Sequence, residues 1–367
     1  MLSDLKVKMG PQYYRYHIGA IDSIPDILNS YKVKNILIVH GSISWEKASP
    51  RMKAIQEGLY QCYYHQYTGE CSYYGADLIE EVVQAKQIDF IIGVGGGKLT
   101  DLVGYIANKL NVTFGVIPTL ASNCAPWTPL SVMYKENGES EGITEHYLHQ
   151  AAFFVTDPEL ILNSPVEYFI AGLADTLAKW YESELILEQE HLKNEPFIQM
   201  ARYTAELCKE AITQKSLKAI TSMKEAHLTA EFVHLSEIVF AIAGLVGGFG
   251  DKYARNAAAH AMHDAMGKYL PESHEFLHGE KVAYGIFYQL SIEERWEVID
   301  QLLPFYEELK LPISLAAMGI SLEDERVIEK LVEFIHSKDK VHLIPVSITP
   351  DSLREAIYRL EKYNKKV

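Results

Sequence analysis

Residues 89–110, DFIIGVGGGKLTDLVGYIANKL, run from a β-branched apolar stretch through three consecutive glycines into a helical pattern. DFIIGVGGG (89–97) reads as a buried strand, and over 99–110 apolar side chains recur at three and four spacing, the helical period. A strand that enters a helix through glycine is the place where an α/β sheet presents backbone N–H groups to a pyrophosphate. Gly95, Gly96 and Gly97 remove the Cβ atoms that would hold phosphate oxygens away from those groups. The stretch satisfies neither GxGxxG nor GxxxxGK[ST]. A tight turn that needs glycine for its backbone geometry is the competing reading.

Outward from this point the pattern repeats. NILIVHG (35–41), TFGVIPT (113–119) and FFVTD (153–157) read as further buried strands, and GADLIEEVVQAKQ (75–87) as an amphipathic helix. Alternation of strand and helix implies a parallel sheet covered on both faces. After DPELILNSP (157–165) strand-like runs become scarce and long amphipathic segments take over. The expected architecture is an α/β dinucleotide-binding domain over residues 1–162 followed by an all-α metal-binding and substrate domain over 163–367.

Composition narrows the function. The chain has 367 residues, 48% of them apolar, which is material for two cores. Its net charge of −15 repels phosphate backbones and anionic headgroups, so nucleic acid and membrane are not expected partners. A small-molecule substrate and a homo-oligomer are expected. Cys62, Cys71, Cys124 and Cys208 form no CxxC pair, and MLSDLKVKMG lacks the apolar core of a secretory signal, so the expectation is a reducing cytoplasm. The longest apolar run, IVFAIAGLVGGFG (238–250), falls short of a membrane span of roughly 20 residues and reads as a buried helix.

The stretch AAAHAMHDAMGKYLPESHEFLHGEKVAYG (257–285) holds four of the chain's 14 histidines. His260 and His263 share a helical face, which makes a usable chelate and also a common accident. A catalytic metal needs a third ligand. His278 lies far enough downstream for a helix, a turn and a return, and Asp175 sits in AGLADTLAKWYES (171–183) among apolar neighbours that would turn its charge inward. A salt bridge from Asp175 to Lys179 is the competing account.

Five stretches, GVGGGKLTD, IPTLASNCAPWTPLSVMY, AGLADTLAKWYES, HAMHDAMG and HGEKVAYG, occur in the order and spacing of the glycerol dehydrogenase group of the iron-containing alcohol dehydrogenase superfamily. The chain resembles that group from about residue 35 to 300. The resemblance implies a dinucleotide domain, a helical domain and a cleft between them. It implies one divalent metal on Asp175, His260 and His278, with His263 lining the cleft or supporting a ligand and passing a proton to solvent. Iron-bearing members usually carry a further histidine four residues after the aspartate; Lys179 stands there, which favours zinc over iron. The resemblance also implies a cofactor pyrophosphate on Gly95, Gly96 and Gly97, assisted by Lys98, Asp101 and Thr119, with the nicotinamide near Ser122, Thr128, Leu130 and Tyr134. His274 is assigned to the surface.

Two departures bear on chemistry. Glycerol dehydrogenases carry an aspartate for the adenosine ribose where this chain has Gly41, so NADP(H) is expected in preference to NAD(H); the alternative is that Gly41 merely turns the chain. The polyol-binding aspartate is replaced by Cys124, with Trp127 close by, which removes the triol's anchor and the repulsion against an anionic substrate. Core filling by the Cys124 and Trp127 pair is the alternative. This variant is similar to hydroxycarboxylate dehydrogenases, which reduce 2-oxo acids to 2-hydroxy acids. A polyol dehydrogenase, a lyase like dehydroquinate synthase and a non-catalytic sensor are the rivals, the lyase disfavoured by the lack of clustered Lys and Arg around 257–285.

Overall fold

The computed structural model describes residues 2, 4–322 and 324–364. Among them the strands are β1 (Tyr14–Tyr16), β2 (Asn35–His40), β3 (Gln61–Gln66), β4 (Phe90–Gly95), β5 (Thr113–Pro118), β6 (Leu130–Tyr134), β7 (Ser140–His146) and β8 (Phe153–Thr156). Six of them form one sheet in the order β1-β8-β5-β4-β2-β3, parallel throughout, and β6 pairs antiparallel with β7. The central strands β4 and β8 are buried along their whole length, which their unbroken apolar sequences require. β3, QCYYHQ, is an edge strand and stays half-exposed.

The order places a switch point between β2 and β4. From β2 the chain moves outward to β3, and from β4 it moves the other way to β5. Such a crevice, outside the carboxyl ends of the two strands, is where open α/β sheets receive ligands. Gly41 follows β2 directly, and Gly95 to Gly97 end β4 and open the helix Gly97–Leu110.

The described contacts gather the chain into two compact units, neither continuous in sequence. One comprises Met9–Phe169 and Leu217–Gly244 and contains the sheet; the other comprises Met1–Lys8, Ile170–Ser216 and Leu245–Val367. Beyond β8 the described residues form helices and turns only. In the helical unit, Ala258–Tyr269 packs on His278–Ile292 and on Glu325–His336, and Pro350–Asn364 packs on both of the latter.

Within 157–165, Asp157 caps a short helix, Pro158–Leu162, by accepting from the Glu159 N–H at 2.8 Å. One expectation needs correction. The apolar run at 238–250 belongs to a longer helical stretch, Ala230–Tyr253, of 24 residues, so it is long and apolar enough to cross a membrane. Length therefore does not decide its role. Burial does, since 72% of its apolar 18-residue window lies inside the protein, as in a core helix. A π-turn at Ile238–Ile242 interrupts it.

Candidate active site

Three helices of the helical unit bring Asp175, His260 and His278 together. Asp175 lies on Val166–Leu187, His260 on Ala258–Tyr269, and His278 opens His278–Ile292. Glycine sets how closely these helices approach. A Cβ on Gly279 would lie 1.8 Å from the Ala171 carbonyl oxygen, and one on Gly285 would lie 2.3 Å from the Ala259 oxygen. HGEKVAYG thus carries one glycine against the helix of Asp175 and one against the helix of His260.

His260 Nε2 and His278 Nε2 stand 3.1 and 3.3 Å from the same oxygen, Asp175 Oδ1. One ligand atom from each residue falls within 4.8 Å of the others. Tetrahedral ligands at 2.0–2.1 Å from zinc are about 3.3 Å apart, so both spacings to the carboxylate fit a zinc-sized cation. The donor set suits the same ion, being one carboxylate and two imidazoles. Asp175 and His260 side chains are 4% and 10% exposed, whereas His278 is 35% exposed, so the cluster is open on the His278 side. A closed structural site would not be.

Burial alone would raise the Asp175 carboxyl, but the Lys179 charge and hydrogen bonds from both imidazoles hold it well below the usual carboxylate range. Lys179 is buried, and its ammonium reaches the Arg255 carbonyl at 3.5 Å. It supplies charge to Asp175 while the histidines make the carboxylate's hydrogen bonds. Burial would lower His260; the charge of Glu182 and hydrogen bonds with Asp175 and Glu182 override it and push the ring up to about 9. His263 goes the other way. Buried and beside His278, with ring centroids 4.2 Å apart, it is pushed down to about 3. Its Nδ1 stands 3.0 Å from Asp264 Oδ1, and Asp264 Oδ2 accepts from Lys340 Nζ at 3.2 Å. His274 is exposed, with Nε2 at 2.8 Å from the Gly267 carbonyl.

In the sheet unit, Gly96 caps Gly97–Leu110 in an extended conformation and no side chain caps the helix start. That uncapped start at the switch point suits a pyrophosphate. Side chains crowd the loop: a Cβ on Gly96 would meet Leu120 at 2.8 Å and one on Gly97 would meet Asn123 at 2.6 Å. Thr119 N donates to the Gly95 carbonyl at 3.0 Å, bringing the 119–134 segment to the loop. Lys98 Nζ pairs with Glu70 at 2.5 Å. Ser122, Thr128, Leu130 and Tyr134 are half-buried along this segment, and Tyr134 N donates to the Cys71 carbonyl at 2.8 Å. The Asp101 carboxylate is buried instead, accepting from Val132 N at 3.0 Å, and burial pushes it up to about 7.

Gly41 has φ −81°, which any residue adopts, and a Cβ there would meet chiefly Ser44 Oγ at 3.1 Å. Backbone geometry does not demand glycine at this position. Cys124 is half-buried at the start of the turn that carries Trp127. The indole of Trp127 fills the space over Gly10 and Gly244, where added Cβ atoms would lie 2.2 and 2.6 Å from it, and donates to the Met9 carbonyl at 3.1 Å. Packing on these two glycines accounts for its size, while the residue itself stays half-buried. Sequence reasoning overlooked Glu182, Gln289 and the Asp264–Lys340 pair, which hold the histidines. Glu182 had a signal, since it lies seven residues, two helical turns, beyond Asp175 on the same face.

The chain is similar to known proteins over nearly its whole length. The family model for iron-containing alcohol dehydrogenases matches residues 11–158. Hydroxycarboxylate dehydrogenase A of Escherichia coli (strain K12) is 32% identical over 365 residues, 98% of each chain. The crystal structure of glycerol dehydrogenase from Schizosaccharomyces pombe superimposes with a TM-score of 0.88 at 26% identity, covering 99% of this chain and 92% of that one. A probable glycerol dehydrogenase from Sinorhizobium meliloti 1021 gives 0.86 at 25% identity, covering 99% and 100%.

Proposed function

Since the chain belongs to the iron-containing alcohol dehydrogenase family and is an oxidoreductase, we propose that it reduces 2-oxo acids to 2-hydroxy acids with a nicotinamide dinucleotide and one divalent cation, zinc before iron. The observation that carries the reading is the single Asp175 oxygen with both imidazoles at 3.1 and 3.3 Å. Bound there, the cation would supply Lewis acidity to a substrate carbonyl, and the dinucleotide would supply the hydride.

The chain's own residues do the rest. Asp175, His260 and His278 hold the cation. Gly95, Gly96 and Gly97 receive the pyrophosphate at the uncapped helix start, with Lys98, Thr119, Ser122, Thr128, Leu130 and Tyr134 along the dinucleotide. Asp101 contributes by tying the loop's helix to β6. His263 moves the proton. Its Nδ1–H donates to the ionised Asp264, so the lone pair sits on Nε2, and Asp264 leads to Lys340.

The substrate class rests on Cys124, which removes a carboxylate that would repel an acid, and is supported by the relative named for hydroxycarboxylates. Preference for NADP(H) rests on Gly41, where no carboxylate opposes a 2′-phosphate. Glycerol oxidation is the second reading, favoured by the structural neighbours named glycerol dehydrogenase. A screen of 2-oxo acids and aldehydes with NADPH and NADH, beside glycerol with NAD at alkaline pH, separates them. The expected outcome is 2-oxo acid reduction faster with NADPH; glycerol oxidation as the dominant activity contradicts the proposal.

A further inference from the structure

Glu182 is buried, its side chain 2% exposed, and both its oxygens face the His260 helix. Oε1 accepts from the Ala257 and His260 backbone N–H groups at 2.7 and 2.9 Å. Oε2 stands 2.6 Å from His260 Nδ1. The helix Ala258–Tyr269 has no side-chain cap at its own cap residue, Ala257. Gln289 completes the set, with Oε1 accepting from Ala258 N at 2.9 Å and Ala259 N at 3.4 Å. The N–H groups that a helix start leaves unpaired are therefore taken by two side chains. One comes from the Asp175 helix and the other from the His278 helix.

Capping explains Oε1 of Glu182 but not Oε2. We infer that Glu182 is a positioning residue of the site: an acceptor-only group at 2.6 Å from Nδ1 keeps a proton on that nitrogen, so that Nε2, which donates to Asp175 Oδ1 while no cation is bound, is the nitrogen that would give up its proton and turn a lone pair to a cation. An ionised carboxylate has no proton to donate, so Nδ1 must be the donor in this contact. Two backbone N–H groups already donate to this carboxylate, which favours its charged, acceptor-only form. The partner on the remote nitrogen of a metal-bound histidine sets both the tautomer and the ring's orientation. The inference rests on the cation reading of Asp175, His260 and His278, and extends it to a residue that touches no cation.

Glu182→Gln separates this role from capping. The amide oxygen must stay on the two backbone donors, because an amide NH2 turned toward them would oppose donor to donor. The NH2 then faces Nδ1 and can only donate, which strips the proton from Nδ1 and confines the ring proton to Nε2, the nitrogen a cation would need. The cap survives and the ligand does not.

The experiment combines ¹⁵N-histidine NMR of the full chain with zinc titration against a competing chelator. In the metal-free parent, His260 Nδ1 is expected to carry a proton; in metal-free Glu182→Gln it is expected to have lost it. Zinc affinity in the variant is expected to fall ~10–100-fold, with the melting curve of the metal-free protein little changed. An Nδ1 still protonated in the variant, or zinc bound as tightly as by the parent, overturns the inference. Should the variant not fold, the zinc-loaded parent decides: Nδ1–H with Nε2 bound supports it, and the reverse overturns it. A parent that takes up no zinc contradicts the cation reading itself, and the metal-free Nδ1 measurement still judges Glu182.

Discussion

The glycines that end β4 and the glycines of His278–Ile292 both sit in crowded places, yet different things crowd them. At the loop the nearest atoms are side chains, Leu120 beside Gly96 and Asn123 beside Gly97, at 2.8 and 2.6 Å from a notional Cβ. Between the helices the nearest atoms are backbone, the Ala171 and Ala259 carbonyl oxygens at 1.8 and 2.3 Å. A side chain can change rotamer, whereas a helix backbone can yield only if the helix moves. A Cβ at the loop could thus be absorbed by side-chain movement, whereas glycine between the helices is a condition of the fold that brings Asp175, His260 and His278 together.

The largest expected effect breaks the comparison at its rigid end. Gly279→Ala forces the His278 helix off the Asp175 helix, at a cost of about 3 kcal/mol or more, the upper part of the range for overpacking, and weakens zinc binding with it. Gly97→Ala, by contrast, displaces only the Asn123 side chain. It should cost no more than ~1 kcal/mol while weakening dinucleotide binding at least ~10-fold, since a methyl group then occupies the phosphate's approach. Thermal melts with zinc and NADPH titrations measure both. Equal stability losses in the two variants would show the distinction between side-chain and backbone crowding to be empty.

A smaller effect sharpens the loop side. Gly41→Asp is sterically mild, because its Cβ meets chiefly Ser44 Oγ at 3.1 Å. The added carboxylate should lower the ratio of NADPH to NADH efficiency by roughly tenfold, about 1.4 kcal/mol of discrimination. An unchanged ratio in steady-state kinetics would place cofactor choice elsewhere.

The smallest effect concerns pH. Burial holds the Asp101 carboxyl up at about 7, so the folded chain keeps a proton that the unfolded chain has lost. Stability from this group is therefore highest below about pH 4 and falls as pH rises to about 7, by at most ~1.4 kcal/mol per pH unit. Asp101→Asn keeps an acceptor for the Val132 N–H and should flatten that decline in denaturant titrations between pH 5 and 8. The same slope in parent and variant would show that the buried carboxyl ionises without penalty.

How legible these regions were in the amino-acid pattern follows from the same physics. β2, β4, β5 and β8 are unbroken apolar runs because both faces of a central parallel strand are covered, so periodicity reveals them. β3, at the edge and half-exposed, has only QCYYHQ to show, and β1 is three residues long; neither leaves a clear period. The hairpin of β6 and β7 lay unseen inside the 117–134 motif and the polar stretch after it. Asp175, His260 and His278 were legible as residue types that need compensation among apolar neighbours. Their partners were not: Glu182 reads as an ordinary helical carboxylate until the Ala257 turn is placed against it, and Gln289 as a polar residue in an apolar helix. Grouping of residues 217–244 with the sheet unit was equally hidden, because helical periodicity does not say what a helix packs on.

The measurement that tests the central claim most directly is turnover against metal content. Exhaustive chelation should abolish 2-oxo acid reduction, and one equivalent of zinc per chain should restore it. His278→Ala should stay inactive at any zinc level while still binding the dinucleotide. Full activity in metal-free protein, or undiminished turnover in His278→Ala, would contradict the account.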